Sequence, residues 1–158
     1  MEHYLSRLQN ATRLYWDKPA LNNIGGETFN YGQMATTIEK FHLAFESLGF
    51  KKGDKIAICA RNGARWGMAY LSVNTYETVI VPILADFTPD SVNYLVDHSE
   101  SLALFTNADK WAKLDIGKMP LLKIVIDVDT WKPLWTASEE IAEAYESTDE
   151  KFAAKYPD

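Results

Sequence analysis

A chain of 158 residues is the size of one domain, and 47% hydrophobic with 13% aromatic residues is enough for a sizeable core, which excludes gross disorder. Residues 138–158 carry −5 of the net charge of −6. The rest of the chain is therefore close to neutral and lacks the basic face that nucleic acid requires.

No apolar run approaches the roughly 18 residues of a membrane span; the longest lies near residues 79–84. The N-terminus, MEHYLSRLQNATRLYW, has no apolar stretch of the kind a signal peptide needs. Cys59 is the single cysteine, so no intrachain disulfide forms, and a reducing, cytoplasmic setting fits. Its neighbours Ile56, Ala57, Ile58 and Ala60 predict a buried, inert thiol rather than a nucleophile.

Residues 1–18 read as a helix with Leu5, Leu8, Thr12 and Tyr15 along one face, ended by Pro19. Two short strand-like runs around Gly25-Gly26 give a hairpin signal. Asn30 is the expected N-cap of the next helix. Gln33 at N3 completes a capping box, and Phe29 and Met34 occupy the hydrophobic-staple positions. Met34, Ile38, Phe41, Phe45 and Leu48 form one apolar stripe, with His42 beside it as a packed or surface residue. Gly49 stands where a left-handed residue ends a helix, and Phe50 can fold back on Phe45.

Residues 51–54 read as a turn and 55–60 as a short buried strand. Asn62 is the expected cap of the following helix, whose inner side carries Trp66, Ala69, Tyr70, Val73 and Tyr76; Trp66 is expected to be largely buried. Residues 78–82 form a second strand. Thr88-Pro89 then starts a helix with a capping hydroxyl and proline at N1, and Val92, Leu95 and Val96 face inward. Strands at 102–106 and 121–127 flank a short helix at 108–114. Residues 131–135 read as a connector, with Trp131, Leu134 and Trp135 expected to present exposed apolar surface. Residues 138–156 read as an acidic helical segment, broken at Ser147-Thr148.

Short apolar strands alternating with helices define an α/β fold: a mostly parallel sheet with helices on both faces. The chain divides into an α/β part, residues 1–129, and a connector with an acidic helical segment, residues 130–158.

Several chemistries are missing. There is no Walker loop, no G-x-G-x-x-G fingerprint and no G-x-S-x-G elbow. His3, His42 and His98 lie on three separate elements, and Cys59 has no partner nearby, so no metal site is expected. Asp127-Val128-Asp129 reads as a strand-terminating turn, and His98-Ser99-Glu100 as a helix end. One polar loop, residues 61–65, follows a strand's carboxyl end, where ligands sit in open α/β sheets. A cap at Asn62 and solvated Arg61 and Arg65 explain it without a ligand.

Four stretches in order resemble the start of the adenylate-forming synthetases, most of all the long-chain fatty acid–CoA ligases. FNYGQM (29–34) resembles a motif in which a hydroxyl residue and tyrosine begin a helix, with Asn30 replacing the hydroxyl. LGFKKGDKIAI (48–58) resembles the leucine-glycine helix end followed by basic-Gly-Asp and a strand. NGARW (62–66) resembles the opening of the next helix. VIVPILADFTPDSVNYLVDHSESLALF (79–105) resembles the second core motif. The family often has glycine five residues before that motif's proline, where this chain has Glu77.

The resemblance implies a fragment of the large N-terminal domain of a two-step ligase. Such an enzyme joins a fatty acid to ATP as an acyl-adenylate and passes the acyl group to coenzyme A, with Mg²⁺ offsetting phosphate charge. The family's Ser/Thr/Gly-rich phosphate loop, ribose-binding carboxylate and adenylation lysine belong to later sequence. No catalytic, cofactor-binding or metal residue is therefore assigned here, and the fragment alone is expected to be inactive and to hold no cofactor. Its expected partners are fatty acid, ATP, coenzyme A and the remainder of its own chain, with no nucleic acid and no transmembrane segment. Two other readings stand beside it: a self-contained α/β domain binding a small molecule at its strand ends, and a non-catalytic interaction module using the acidic tail.

Overall fold

The structure, a computed structural model, describes residues 3–157. Met1, Glu2 and Asp158, which belong to the expected first helix and acidic segment, lie outside the described residues. Helix α1 spans Tyr4–Leu14, shorter than the expected 1–18. Pro19 disfavours a helical Lys18. The Lys18 carbonyl instead accepts the Tyr31 N–H at 3.0 Å, while Pro19 begins a strand.

Strands β1 (Pro19–Asn22) and β2 (Thr28–Asn30) form the hairpin, turned by Gly25 at φ +71°. Helix α2 (Tyr31–Ser47) carries both halves of the capping box. The Gln33 N–H donates to Asn30 Oδ1 at 2.7 Å, and the Asn30 N–H donates to Gln33 Oε1 at 2.9 Å. At its other end Gly49 has φ +75°, and the Phe50 N–H reaches back to the Phe45 carbonyl at 2.9 Å, which places the two rings 5.7 Å apart.

The remaining elements are β3 (Lys55–Cys59), α3 (Ala64–Thr75), β4 (Val79–Ile83), α4 (Pro89–His98), β5 (Ala103–Thr106), α5 (Ala108–Trp111), β6 (Ile124–Asp127), β7 (Pro133–Thr136), α6 (Glu139–Glu146) and α7 (Thr148–Lys155). A single 3₁₀ turn, Ile116–Lys118, precedes β6. Thr88 caps α4 ahead of Pro89, and the acidic segment breaks at Ser147, both as expected.

The main sheet has the order β4-β3-β5-β6-β7. The first four strands are parallel and β7 is antiparallel. The fold is thus α/β with a mostly parallel five-stranded sheet. β7 corrects the expectation of a plain connector at 131–135: Trp135 pairs with Val125. Pro133 conceals this strand in the sequence, yet proline is tolerated at the first residue of an outer strand. At the opposite margin Pro82 of β4 lies beside Ile58.

Alternate residues of each strand serve opposite faces. Ile56 and Ile58 join Phe41, Phe45, Val73 and Phe105 beneath α2, α3 and α6. Ala57 and Cys59 join Val92, Val96, Leu104 and Met119 beneath α4. Trp66 is only half-buried and stacks on Tyr70 at 5.4 Å, because Met68 and Ser72 take the inner positions of α3. Trp131, Leu134 and Trp135 are half-buried against these two clusters and do not form an exposed patch. Among the described residues no helix is long and apolar enough to cross a membrane.

Candidate functional site

The sheet reverses direction of growth between β3 and β5, because β4 lies on one side of β3 and β5 on the other. Ligands of open α/β sheets bind beyond the carboxyl ends of the strands at such a point. Here the Thr106 hydroxyl donates to the Cys59 carbonyl at 2.7 Å and ties the two strand ends together. The Cys59 thiol is buried beside the Leu84 carbonyl, and burial pushes its pKa up. It faces a cavity of about 120 Å³ with Phe87, Val92 and Lys110, whose ammonium bonds the Ala85 carbonyl. The thiol is buried, as its apolar neighbours predict.

The 61–65 loop is built differently from expectation. Asn62 is exposed and does not cap α3, whose N-cap is Gly63. Asn23, from the hairpin, supplies the cap: its Oδ1 accepts the Ala64 N–H at 2.8 Å. Arg65 is not solvated either. Its guanidinium donates twice to Glu27, at 2.9 and 3.0 Å, and lies 5.5 Å from the Phe29 ring and 5.4 Å from the Trp131 ring. This arginine holds the Glu27 carboxyl below the usual carboxylate range. The hairpin has therefore claimed the first free amide of α3 and one of the loop's two arginines. Arg61 and Asn62 remain exposed.

At the end of β6, Asp127 Oδ1 accepts the Asp129 N–H at 2.9 Å, and the Asp127 carbonyl accepts the Trp131 N–H at 2.8 Å. This is the strand-terminating turn expected of Asp127-Val128-Asp129. Trp131 sits in it at φ +62°. His3 caps α1, His42 touches Thr75, and His98 stacks on Tyr94, so the three histidines stay apart. Among the described residues no three of His, Cys, Asp and Glu converge to hold a metal ion.

A larger cavity, about 790 Å³, opens between α2, the β6–β7 turn and the α6–α7 junction. No local motif announces it, since its walls include Lys40 and Asp149, 109 residues apart in the chain.

This arrangement of strands, hairpin and capped helices belongs to the adenylate-forming ligases. The chain matches the AMP-binding enzyme family over residues 8–157 and is a member of it. The long-chain-fatty-acid–CoA ligase FadD15 of Mycobacterium bovis is 26% identical over 120 residues, covering 74% of this chain and 20% of the relative. The long-chain-fatty-acid–CoA ligase heimdall of Drosophila melanogaster is 25% identical over 118 residues, covering 73% and 17%. The chain thus spans about a fifth of the length of these curated relatives. Among solved structures, coronafacic acid ligase from Pectobacterium brasiliense shares the fold with TM-score 0.76 at 20% identity, covering 90% of this chain and 29% of that one.

Among the described residues there is no glycine-rich loop followed by lysine of the kind that cradles phosphates. Gly25-Gly26 is the only glycine pair, it turns the hairpin, and no lysine follows it in a loop. No step of adenylation is therefore routed through these side chains.

Proposed function

We propose that this chain is the N-terminal part of a long-chain fatty acid–CoA ligase. The observation that carries the reading is the family match along nearly the whole chain, joined to two curated relatives bearing that name. In the parent reaction a fatty-acid carboxylate oxygen bonds to the α-phosphorus of ATP, and pyrophosphate leaves. The thiol sulfur of coenzyme A then bonds to the acyl carbon, the mixed-anhydride C–O bond breaks, and AMP leaves. Residues 1–129 act as an α/β scaffold that β7 and α6 complete from the 130–158 segment, and the end of that segment leads towards the remainder of the parent. None of the described side chains touches a reacting atom. The parent works in the cytoplasm, and the isolated chain is inactive.

The test is ATP–pyrophosphate exchange, run with the 158-residue chain and with the product of the gene including any downstream sequence. Exchange with palmitate is expected from the longer protein alone. Exchange by the 158-residue chain would overturn the scaffold reading, and exchange with an aromatic acid but not palmitate would overturn the long-chain reading.

A further inference from the structure

Asn62-Gly63 is the one Asn-Gly pair in the chain. It lies in the short loop between β3 and α3, where Arg61, Asn62 and Gly63 are all exposed. The loop hangs between two fixed ends, because Ala60 and Ala64 on either side of it are buried. Among the described residues neither the Asn62 side-chain amide nor the Gly63 N–H has a hydrogen-bond partner. Other asparagines are held. Asn23, Asn30, Asn93 and Asn107 each accept a backbone N–H on Oδ1, at 2.7 to 3.1 Å.

The fold itself asks for the glycine. A Cβ at position 63 would stand 3.0 Å from Oδ1 of Asn23, the atom that caps α3. The docked hairpin therefore fixes the second member of the pair, and glycine leaves its amide nitrogen unshielded by a side chain. Nothing equivalent restrains the first member, since Asn62 caps no helix. Arg61 beside it and the amino end of α3 bring positive charge, which favours an amide nitrogen that has lost its proton.

We propose that Asn62 is a site of spontaneous deamidation and isoaspartate formation. The Gly63 nitrogen gives its proton to hydroxide and bonds to the carbonyl carbon of the Asn62 side chain. The C–NH₂ bond breaks, and ammonia leaves with a proton from water. A succinimide ring remains, and its closure is favoured because both reacting atoms belong to neighbouring residues. Water then opens the ring without any change of oxidation state. Cleavage at the side-chain carbonyl leaves an aspartyl residue, whose carboxylate suits the amino end of α3. Cleavage at the main-chain carbonyl leaves an isoaspartyl residue, which adds one methylene to the main chain between the fixed ends of β3 and α3 and strains the Asn23–Ala64 cap. Its exposed carboxylate is the kind of group that an isoaspartyl methyltransferase esterifies. The inference stands apart from the ligase reading and needs no bound ligand.

The test incubates the 158-residue chain in mildly alkaline buffer. Conversion at each asparagine is followed by peptide mass spectrometry, and isoaspartate by methyl transfer from labelled S-adenosylmethionine with an isoaspartyl methyltransferase. Asn62 is expected to convert at least about tenfold faster than any other asparagine. Asn62→Gln, whose longer side chain closes a larger and slower-forming ring, should cut methyl acceptance by at least about tenfold. Asn62 is exposed and caps nothing, so this variant should fold, and an unchanged urea midpoint checks it. The same chain unfolded in guanidinium chloride gives the unhindered rate, and the folded loop should reach at least about a tenth of it. A smaller margin on any of these three counts overturns the proposal, because the reactive pair would then be no faster than its neighbours, not the source of the isoaspartate, or held by the fold away from ring closure.

Discussion

Glu77 holds the turn between α3 and β4 at φ +65°, the position where the resembling family often has glycine. A left-handed backbone costs a residue with a Cβ about 1–2 kcal/mol. The turn itself is needed, because the Glu77 carbonyl accepts the Gly53 N–H at 3.1 Å. The side chain offers in return an exposed ion pair with Lys52 at 3.1 Å, and such pairs contribute less than about 1 kcal/mol. Glu77→Gly is therefore expected to raise stability by about 0.5–1 kcal/mol, measured by urea unfolding; a loss would show that the ion pair outweighs the strain. His42 gives a second residue-scale prediction. Its Nε2 lies 2.7 Å from the Thr75 hydroxyl, which itself donates to the Leu71 carbonyl, so the ring nitrogen is the donor. Burial pushes the His42 pKa below 6.5, against partial opposition from Glu39. On acidification the unfolded chain takes up this proton first, so folded-state stability falls as pH drops through 6.5 towards the lowered value. His42→Gln should narrow its stability gap to the unaltered chain between about pH 7.5 and about pH 5.5. An equal gap at both pH values would refute the lowered pKa. Glu39, itself lowered, titrates beneath this window.

Helix signals written in adjacent residues were legible in the sequence: the Asn30–Gln33 capping box, the Thr88-Pro89 start and the break at Ser147-Thr148. Signals that join distant segments were not. The cap of α3 comes from Asn23, 41 residues before Ala64, while Asn62 stands in sequence where a cap is expected and is exposed instead. Asn23→Ala should cost about 1 kcal/mol, whereas Asn62→Ala should stay within about 0.5 kcal/mol. Paired urea midpoints check both, and the reverse order would show that the hairpin does not cap this helix. Strand β7 escaped for a related reason: Pro133 reads as a breaker until β6 is there to pair with. The polar loop at 61–65 was visible, but its closure by Asn23 and Glu27 depends on where the hairpin docks. The larger cavity was invisible because α2 and α7 meet only in three dimensions.

Across the whole molecule, one sheet serves two clusters. Ile56 and Ile58 point to one and Ala57 and Cys59 to the other, so neither face can lose its partner without stripping the same strand. Unfolding should therefore be a single transition. Trp131 reports the face under α2, and Trp135, 6.2 Å from Trp111, reports the opposite face. Fluorine-labelled tryptophans should give coincident urea midpoints at the two positions; separated midpoints would reveal two cooperative units. The outer strands add a different consequence. The Val79 N–H donates inward to Asp54, so alternate positions of β4 face β3, and Pro82 falls on the outward row. A foreign strand laid along that margin meets a pyrrolidine ring where it needs a donor. Pro133 begins the strand at the other margin. With a proline in each outer strand, crowded copies of this domain are hindered from joining sheet to sheet, and fibril growth loses its simplest template.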